Sequence, residues 1–310
     1  MQWTKKGPVY STSGEWTWSR THATLPTPYL VDNNTLRIYY SSRDSLNQSN
    51  ISYIDTIPHQ PENVFFKNPD PVLTKGSLGA FDDSGVMPSQ VLAVGDEVWM
   101  YYFGWNVRNI IPYHNSIGLA VSKDNGVTFE RFSEGPLVDR NYVEPFFCAT
   151  PFVLKTNEEW QMWYLSCTKW MVHEAKAEPF YHIKQADSRN GVDWKRDGNV
   201  AIDYSGPDEA GIARPCVIMD DHGYHMWYSY RKLSGYRENR DSGYKIGYAV
   251  SEDGKAWTRK DESSGIELSK TGWDSQMIAY PYVYDIGEVR YMLYNGNGFG
   301  KSGFGYAVLE

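Results

Sequence analysis

The chain has 310 residues, a length that suits one large domain. Its 30 Lys and Arg against 38 Asp and Glu give a net charge of −8, and the basic residues are not clustered, so we expect no nucleic-acid surface. The sequence has no apolar run of about eighteen residues. Its first ten residues, MQWTKKGPVY, lack the apolar region of a signal peptide. We therefore expect neither a membrane-spanning helix nor an exported protein.

The three cysteines are an odd number without the paired spacing of a metal site. Cys148, Cys167 and Cys216 each lie in or beside a predicted strand. We expect buried free thiols, which favour a reducing, cytoplasmic location.

One aromatic-rich strand ending recurs five times along the chain. The successive steps are 62, 62, 64 and 66 residues, and the five segments are LRIYY ending at Tyr40, VWMYY at Tyr102, WQMWY at Tyr164, YHMWY at Tyr228 and RYMLY at Tyr294. A constant period of this size is typical of radial or stacked repeat folds.

Each period also has a proline that opens an apolar strand 12 to 14 residues before the tyrosine: Pro28, Pro88, Pro151, Pro215 and Pro281. A short polar turn separates the two strands, which predicts a hairpin. A third strand follows in most periods, and Phe129, Trp194 and Trp257 indicate a fourth. Four antiparallel strands repeated five times predict an all-β fold, a five-bladed β-propeller formed by residues 1–310 as a single domain.

The two chain ends complement each other. The fifth period stops at Glu310 after its third strand, and Trp3-Thr4-Lys5-Lys6 resembles Trp257-Thr258-Arg259-Lys260 of the fourth. A closed ring avoids exposed sheet edges, so we predict that Met1 to Val9 completes the last blade.

In a propeller of this topology, the residues before the prolines and the loops between second and third strands converge on one funnel. Three of those loops, at 104–116, 167–182 and 230–244, are long and rich in aromatic and charged residues. Long irregular loops in a compact domain are usually functional, so we place the site there.

Ionisable residues recur five to seven positions before the prolines: His22, Asp82 with Asp83, Glu144, Asp208 with Glu209, and Asp274. Any one of these could cap a turn or pair with a neighbouring arginine. Recurrence at equivalent positions favours a site, where crowded carboxyl groups shift one another's pKa and can divide into acid and base.

This pattern resembles the superfamily of five-bladed propeller glycoside hydrolases that includes families 43, 32 and 68 and, more distantly, family 130. The resemblance covers nearly the whole chain through its blade pattern. Family 43 has a base Asp before the first-blade proline and a helper Asp before the third, where this chain has Thr27 and Thr150. Glu209, ahead of Arg214-Pro215, partly matches the family's general acid. The resemblance implies a carbohydrate substrate and a carboxylate acid/base mechanism.

We predict Asp83, Glu144 and Glu209 as catalytic residues, with Asp83 and Glu144 in the base or charge-stabilising role. A guanidinium binds carboxylate or phosphate in a bidentate manner, so arginines suit an anionic sugar substituent or a bacterial surface polysaccharide. Trp105, Trp170 and Tyr236 could supply flat faces for sugar rings. The predicted substrate-binding residues are Arg20, His22, Asp82, Trp105, Asp208, Arg214, Arg231, Asp274 and Gln276.

Several alternatives remain open. The segment Ser122–Phe129 resembles the Asp-box of sialidases, a structural turn, and Arg20, Arg214 and Arg231 with Glu144 could form a sialidase-like set. A sugar-binding propeller without turnover and a phosphorolytic enzyme are the other two. No histidine has the spacing of a metal ligand, so we predict no cofactor, with a structural cation near His22 left open, and either a monomer or a homodimer.

Overall fold

The computed structural model describes residues 1–156 and 159–310, whose regular secondary structure is almost entirely β-strand. Among them, the helical elements are a four-residue helix, α1 (Asn297–Gly300), and a 3-10 turn at Asp261–Ser263. No helix in this part of the chain is long and apolar enough to cross a bilayer. The all-β class predicted from the sequence is confirmed.

The strands form five units of four, with β1 (Trp3–Tyr10) preceding the first unit in the chain and pairing in the last. Unit 1 contains β2 (Thr21–Asp32), β3 (Thr35–Arg43), β4 (Ser49–Ile57) and β5 (Gln60–Lys67). Unit 2 contains β6 (Gly85–Val94), β7 (Glu97–Val107), β8 (Tyr113–Ser122) and β9 (Glu130–Arg131). Unit 3 contains β10 (Cys148–Lys155), β11 (Trp160–His173), β12 (Lys176–Ser188) and β13 (Val200–Ile202). Unit 4 contains β14 (Glu209–Asp220), β15 (Gly223–Lys232), β16 (Lys245–Ser251) and β17 (Thr258–Arg259). Unit 5 contains β18 (Ala279–Ile286), β19 (Val289–Asn295), β20 (Phe304–Leu309) and β1.

Strands within each unit are antiparallel, and two parallel pairs connect neighbouring units. Ser49 pairs with Gly85 between units 1 and 2, and Tyr181 pairs with Gly211 between units 3 and 4. The hydrogen-bonded sheets therefore contain eight, eight and four strands.

The N-terminal strand closes the last unit, as the sequence predicts. β1 pairs antiparallel with β20, placing Trp3 opposite Leu309 and Tyr10 opposite Phe304. Trp3 is buried, and its ring meets that of Trp227 in unit 4 edge to face at 5.9 Å between centroids. The start of the chain thus holds unit 5 against unit 4.

The repeated aromatic strands explain the core. Each periodic tyrosine lies on the second strand of its unit and is completely buried: Tyr40, Tyr102, Tyr164, Tyr228 and Tyr294. The strands are buried along most of their length, and large rings fill the space between the twisted sheets.

The first strands of all five units meet at one side chain, Arg214 on β14. Its guanidinium donates to the carbonyl and hydroxyl of Ser89 on β6 and to Thr27 on β2, the latter at 3.0 Å. Its backbone N–H donates to Thr150 on β10, and its guanidinium lies 5.3 Å from the ring centre of Tyr282 on β18. Arg214 is fully buried, and burial lowers its pKa to about 10.

Two expectations about loops and outer strands are wrong. The segment 167–182 is a bulged hairpin, because β11 and β12 pair as far as His173 and Lys176 around a turn at Glu174 and Ala175. The segment 104–116 is also mostly hairpin, because β7 and β8 pair as far as Val107 and Tyr113 and leave five residues between them. The outer strand of unit 3 is Val200–Ile202, whereas Trp194 lies beside an isolated bridge from Lys195 to Asp187.

The closing strand yields a stability prediction. Replacing Trp3 with alanine removes a buried ring from the contact between units 4 and 5, and we expect a loss of roughly 3–5 kcal/mol in the free energy of unfolding. The matched control is Tyr142→Ala, since Tyr142 is 98% exposed. Denaturant unfolding measures both; equal stability of the two variants would show that β1 is not part of the fold.

Candidate active site

A cavity of about 600 Å³ receives residues from all five units, and we call it the five-unit cavity. Its lining includes Thr24, Leu25, Arg43, Asn47 and Gln48 from unit 1. Unit 2 and the loops next to it add Ser84, Met87, Phe103, Trp105, Val107, Pro112, Tyr113 and Asn115. The remaining units and loops add Phe147, Ala149, Thr150, Leu165, Tyr181, Ala213, Tyr236, Arg237, Tyr244, Tyr280 and Phe299.

Besides the loops, two recurring places contribute to the lining. One is the start of the first strand, where Leu25, Met87, Thr150 and Tyr280 each directly precede a proline. The other is the end of the second strand beyond the periodic tyrosine, which contributes Arg43, Phe103, Trp105 and Leu165. The sequence predicts the first set of positions as part of the funnel.

The backbone beside the cavity is irregular at the prolines. Leu25, Thr150, Arg214 and Tyr280 have φ values of 58°, 45°, 56° and 57°, in the left-handed region that non-glycine residues rarely adopt. Each lies where the register between first and second strand shifts, which marks a bulge. Bulges redirect side chains and are common beside active sites.

One wall of the cavity is a cluster of tyrosines and arginines. The ring of Tyr236 lies between the guanidiniums of Arg231 and Arg237, which are 3.9 and 4.2 Å from its centre. Arg231 donates to the hydroxyl of Tyr181 at 2.9 Å, and Tyr181 shares a hydrogen bond with Tyr244. Stacked guanidinium and aromatic groups give a rigid wall with an ordered set of polar atoms.

Glu178 anchors this wall from behind. It accepts a hydrogen bond from Tyr236 at 2.9 Å and a bidentate pair from Arg237 at 2.6 and 3.3 Å. Burial acts to raise the pKa of Glu178, but the hydrogen bonds from Arg237 and Tyr236 outweigh burial and lower it. Glu178 is therefore ionised at neutral pH.

The lining contains no Asp or Glu within the part of the chain that the structure describes. Arg43 and Arg237 are its two cationic members, with Arg43 coming from unit 1 and Arg237 from the loop that follows β15. The nearby chemistry is thus dominated by aromatic faces, hydroxyl groups and positive charge.

The recurrent carboxylates of the sequence occupy a repeated buried contact with the periodic tyrosine. The tyrosine hydroxyl of the same unit, 20 residues further along, donates to the carboxylate at 3.0–3.1 Å in three pairs: Tyr102 to Asp82, Tyr164 to Glu144 and Tyr294 to Asp274. A basic residue completes each group: Arg131 at 2.8 Å from Asp82, Arg196 at 3.1 Å from Glu144 and Lys5 at 2.7 Å from Asp274.

Unit 4 uses a variant of the same contact. Tyr228 donates to Asp261, and Arg259 on β17 binds both Asp261 and Glu209, the latter at 2.7 and 3.0 Å. Asp208, at the position 20 residues before Tyr228, is exposed. In units 2, 4 and 5 these contacts join the outer strand to the second strand, and in unit 3 Arg196 binds from the segment before the outer strand, which gives the recurrence a structural reason.

Asp83 differs from the other predicted catalytic residues because its carboxylate is partly exposed. It lies next to Ser84 of the lining and accepts hydrogen bonds from Asn106 at 2.6 Å, Ser84 at 2.9 Å and the backbone of Gly79 at 3.1 Å. Burial acts to raise its pKa, but these hydrogen bonds outweigh burial and lower it. Asp83, Glu144 and Glu209 all lie outside the lining, and of the three Asp83 is hydrogen-bonded to a lining residue, Ser84.

Of the predicted substrate-binding residues, Trp105 lies in the lining, and its indole donates to Ser49 at 2.8 Å. Arg214 and Arg231 are buried behind the lining. Trp170 packs on Tyr113 and Phe147, two members of the lining. The others lie outside the lining: Arg20, His22, Asp82, Asp208, Asp274 and Gln276.

Several cavity residues are not among the named candidates, chiefly Arg43, Tyr181, Arg237, Tyr244 and Tyr280, although Tyr280 directly precedes a proline and Tyr181, Arg237 and Tyr244 lie in the predicted loops. A usable signal exists for Arg43, which stands three positions after Tyr40, as Trp105 does after Tyr102. Side chains alternate along a strand, so positions one and three beyond the buried tyrosine share a side. Cavity residues thus lie after the periodic tyrosines as well as before the prolines.

Solved structures with this architecture are propeller glycoside hydrolases. They include a glycosyl hydrolase from Bacteroides ovatus, with TM-score 0.71 and 18% identity over 100% of this chain and 93% of that one. A thermostable family-43 glycoside hydrolase has TM-score 0.66 and 19% identity over 96% and 90%. A family-130 structure from a study of hydrolases of β-1,2 mannosidic linkages in Candida mannan has TM-score 0.70 and 16% identity over 100% and 94%. The chain therefore has the fold of this superfamily.

Sequence comparison defines the family more narrowly. The chain is 39% identical to the uncharacterized protein MT1551 of Mycobacterium tuberculosis strain CDC 1551 / Oshkosh and 38% identical to the uncharacterized protein Rv1502 of strain H37Rv. Both alignments span all 310 residues and the whole of each relative. The chain belongs to the family of these mycobacterial proteins. No protein-family model matches it.

The repeated ion pairs yield a second stability prediction. Glu144→Gln removes the anion that balances Arg196 and Lys184, and breaking a buried pair from one side costs about 3 kcal/mol or more of unfolding free energy. Glu134→Gln, at an exposed position, is the control. Urea unfolding measures the free energy of unfolding of both variants. A Glu144→Gln variant as stable as the control would contradict a structural role for Glu144.

His22 yields a pH prediction. Burial, together with the charges of Arg43 and Lys301, lowers its pKa from 6.5 to about 4. The unfolded chain then binds the extra proton between these values, so this contribution to stability is complete above pH 6.5 and declines as the pH falls toward 4.

We expect His22→Asn, which tolerates the positive φ of this position, to flatten the stability curve between pH 6.5 and 4. His222→Asn, at an exposed position, should retain the wild-type slope. Thermal unfolding across this pH range provides the measurement, and identical slopes for the two variants would contradict the assignment.

Proposed function

We propose that the protein cleaves a glycosidic bond in a substrate bound at the five-unit cavity. The observation that carries this proposal is the convergence of all five units on one cavity in a fold shared with glycoside hydrolases. Its size, about 600 Å³, is within the usual range of ligand pockets.

The proposed architecture is a five-bladed propeller in which each four-stranded unit is one blade. Support comes from Arg214, whose contacts reach the first strands of the other four units and so mark a common axis. Thr150, which accepts a hydrogen bond from the Arg214 backbone, and Ala213, which directly precedes Arg214, both belong to the cavity lining. The cavity then lies at one end of the axis.

The lining suits a sugar. Trp105, Tyr113, Tyr236 and Phe299 offer aromatic faces against which the C–H faces of a pyranose or furanose pack. Asn115 and the neighbouring hydroxyl groups can orient the sugar hydroxyls. A concave, mostly aromatic site with a few placed polar groups is the usual form of a small-ligand site.

Among the predicted catalytic residues, Asp83 has the best access to such a substrate. It is partly exposed and adjoins the lining through Ser84, and its lowered pKa keeps it ionised at neutral pH. An ionised carboxylate suits the base or charge-stabilising role of a glycosidase mechanism. Glu144 and Glu209 stay candidate catalytic residues, although their ion pairs favour a structural role.

The test is turnover of a panel of aryl glycosides. We expect Asp83→Asn to lower kcat/KM by about 100-fold or more with an unchanged melting temperature, because loss of a catalytic carboxylate costs this much. Asp96→Asn, in an exposed turn, is the control for kcat/KM. A fully active Asp83→Asn enzyme would exclude Asp83, and activity lost in Glu144→Gln or Glu209→Gln without loss of stability would move the chemistry to those residues.

A carbohydrate-binding protein without turnover is the second candidate. It is favoured by the absence of Asp and Glu from the described lining and by Thr27 and Thr150 at the places of the family-43 aspartates. Sugar binding by a protein that turns over no glycoside in the panel would support this candidate.

A further inference from the structure

Three arginines surround the five-unit cavity without an acidic partner. Arg43, Arg214 and Arg231 make no ion pair with any carboxylate of residues 1–156 and 159–310, whereas Arg37, Arg131, Arg196, Arg237, Arg259 and Arg290 all do. Arg214 and Arg231 are almost fully buried. An arginine side chain stays charged at neutral pH, so three positive charges without a direct ion pair lie in or behind the cavity lining.

Arg43 is the member of this set that reaches the ligand space. Its guanidinium belongs to the lining and donates to Asn47 at 2.9 Å, while its Nε atom is buried and has no partner in the described chain. The other terminal nitrogen, Nη2, makes no hydrogen bond with the described chain, so Arg43 keeps a donor that an anionic group of a ligand can use.

The other two arginines are buried behind the lining, so only their charge, and not a hydrogen bond, can act on a ligand in the cavity. Arg214 lies beside Thr150 and Ala213, and Arg231 lies behind Tyr181 and Tyr236. Their hydrogen bonds go to carbonyl and hydroxyl groups, and neither forms an ion pair with a carboxylate of the described residues. The charge of Arg237, in contrast, is balanced by Glu178.

We propose that the five-unit cavity binds a sugar carrying a carboxylate or phosphate group, and that Arg43 binds this anionic group directly. This inference rests on the proposed function, because it takes the cavity to be the sugar site. A planar guanidinium forms two parallel hydrogen bonds with either anion, so Arg43 suits both. Arg214 and Arg231 add a favourable potential in a poorly solvated space.

Calorimetric titration of the whole protein tests the proposal. The probes are glucuronate and galacturonate, their neutral counterparts glucose and galactose, and inorganic phosphate. We expect at least one of the anions to bind about tenfold or more tightly than the neutral sugars, because a charge-assisted hydrogen bond is added. Preference for a uronate would identify a carboxylate, and binding of phosphate alone would identify a phosphate group.

Arg43→Gln should abolish the preference, and Arg189→Gln, which removes the same charge at an exposed position outside the lining, should retain it. The proposal is wrong if none of the three anions binds in a manner that depends on Arg43. Measuring the hydrolysis of neutral and acidic glycosides distinguishes failure of the anion site from failure of the proposed hydrolase activity. Hydrolysis of neutral glycosides without any preference for acidic ones would reject the anion site alone, and Arg43-dependent anion binding without turnover would reject the hydrolase alone.

Discussion

The fold depends on a buried guanidinium at the point where five first strands meet. Burying an unpaired charge costs several kcal/mol, and in Arg214 hydrogen bonds to Ser89 and Thr27 offset this cost. The reduction of its pKa to about 10 reflects how completely water is excluded. Because its backbone and side chain together contact the first strands of the other four units, Arg214 fixes the relative position of the strands that also line the cavity.

The repeated tyrosines act at a second level, inside each unit. In units 2, 3 and 5 the tyrosine hydroxyl and a basic residue hold a buried carboxylate 20 positions earlier in the chain. The carboxylate thereby connects the approach to the first strand with the second strand, and in units 2 and 5 also with the outer strand. Acidic residues recur at these positions because three of the units use this connection.

The periodicity explains what could be predicted from the sequence. The period of the tyrosines and prolines reports on backbone and core, so the all-β class and the pairing of β1 with β20 follow from it. The residue types of the site do not repeat. Arg43 and Trp105 stand at the same distance after a periodic tyrosine, whereas Tyr236 lies in the loop after β15, and only the three-dimensional structure shows that they surround one space. Periodicity draws attention to Asp82, Glu144 and Asp274, whose role in packing is the same in each unit.

The chemistry of the cavity follows from what surrounds it. Aromatic side chains and arginines lie around a space whose described lining has no carboxylate, while Asp83 is hydrogen-bonded to Ser84 of the lining. We propose substrate binding at Arg43 and Trp105 and chemistry near Asp83. The most direct test is a crystal structure with a bound uronic acid or its glycoside. We predict density for the sugar beside Trp105 with its carboxylate on Arg43; a sugar bound elsewhere, at Glu144 or Glu209, would contradict the account.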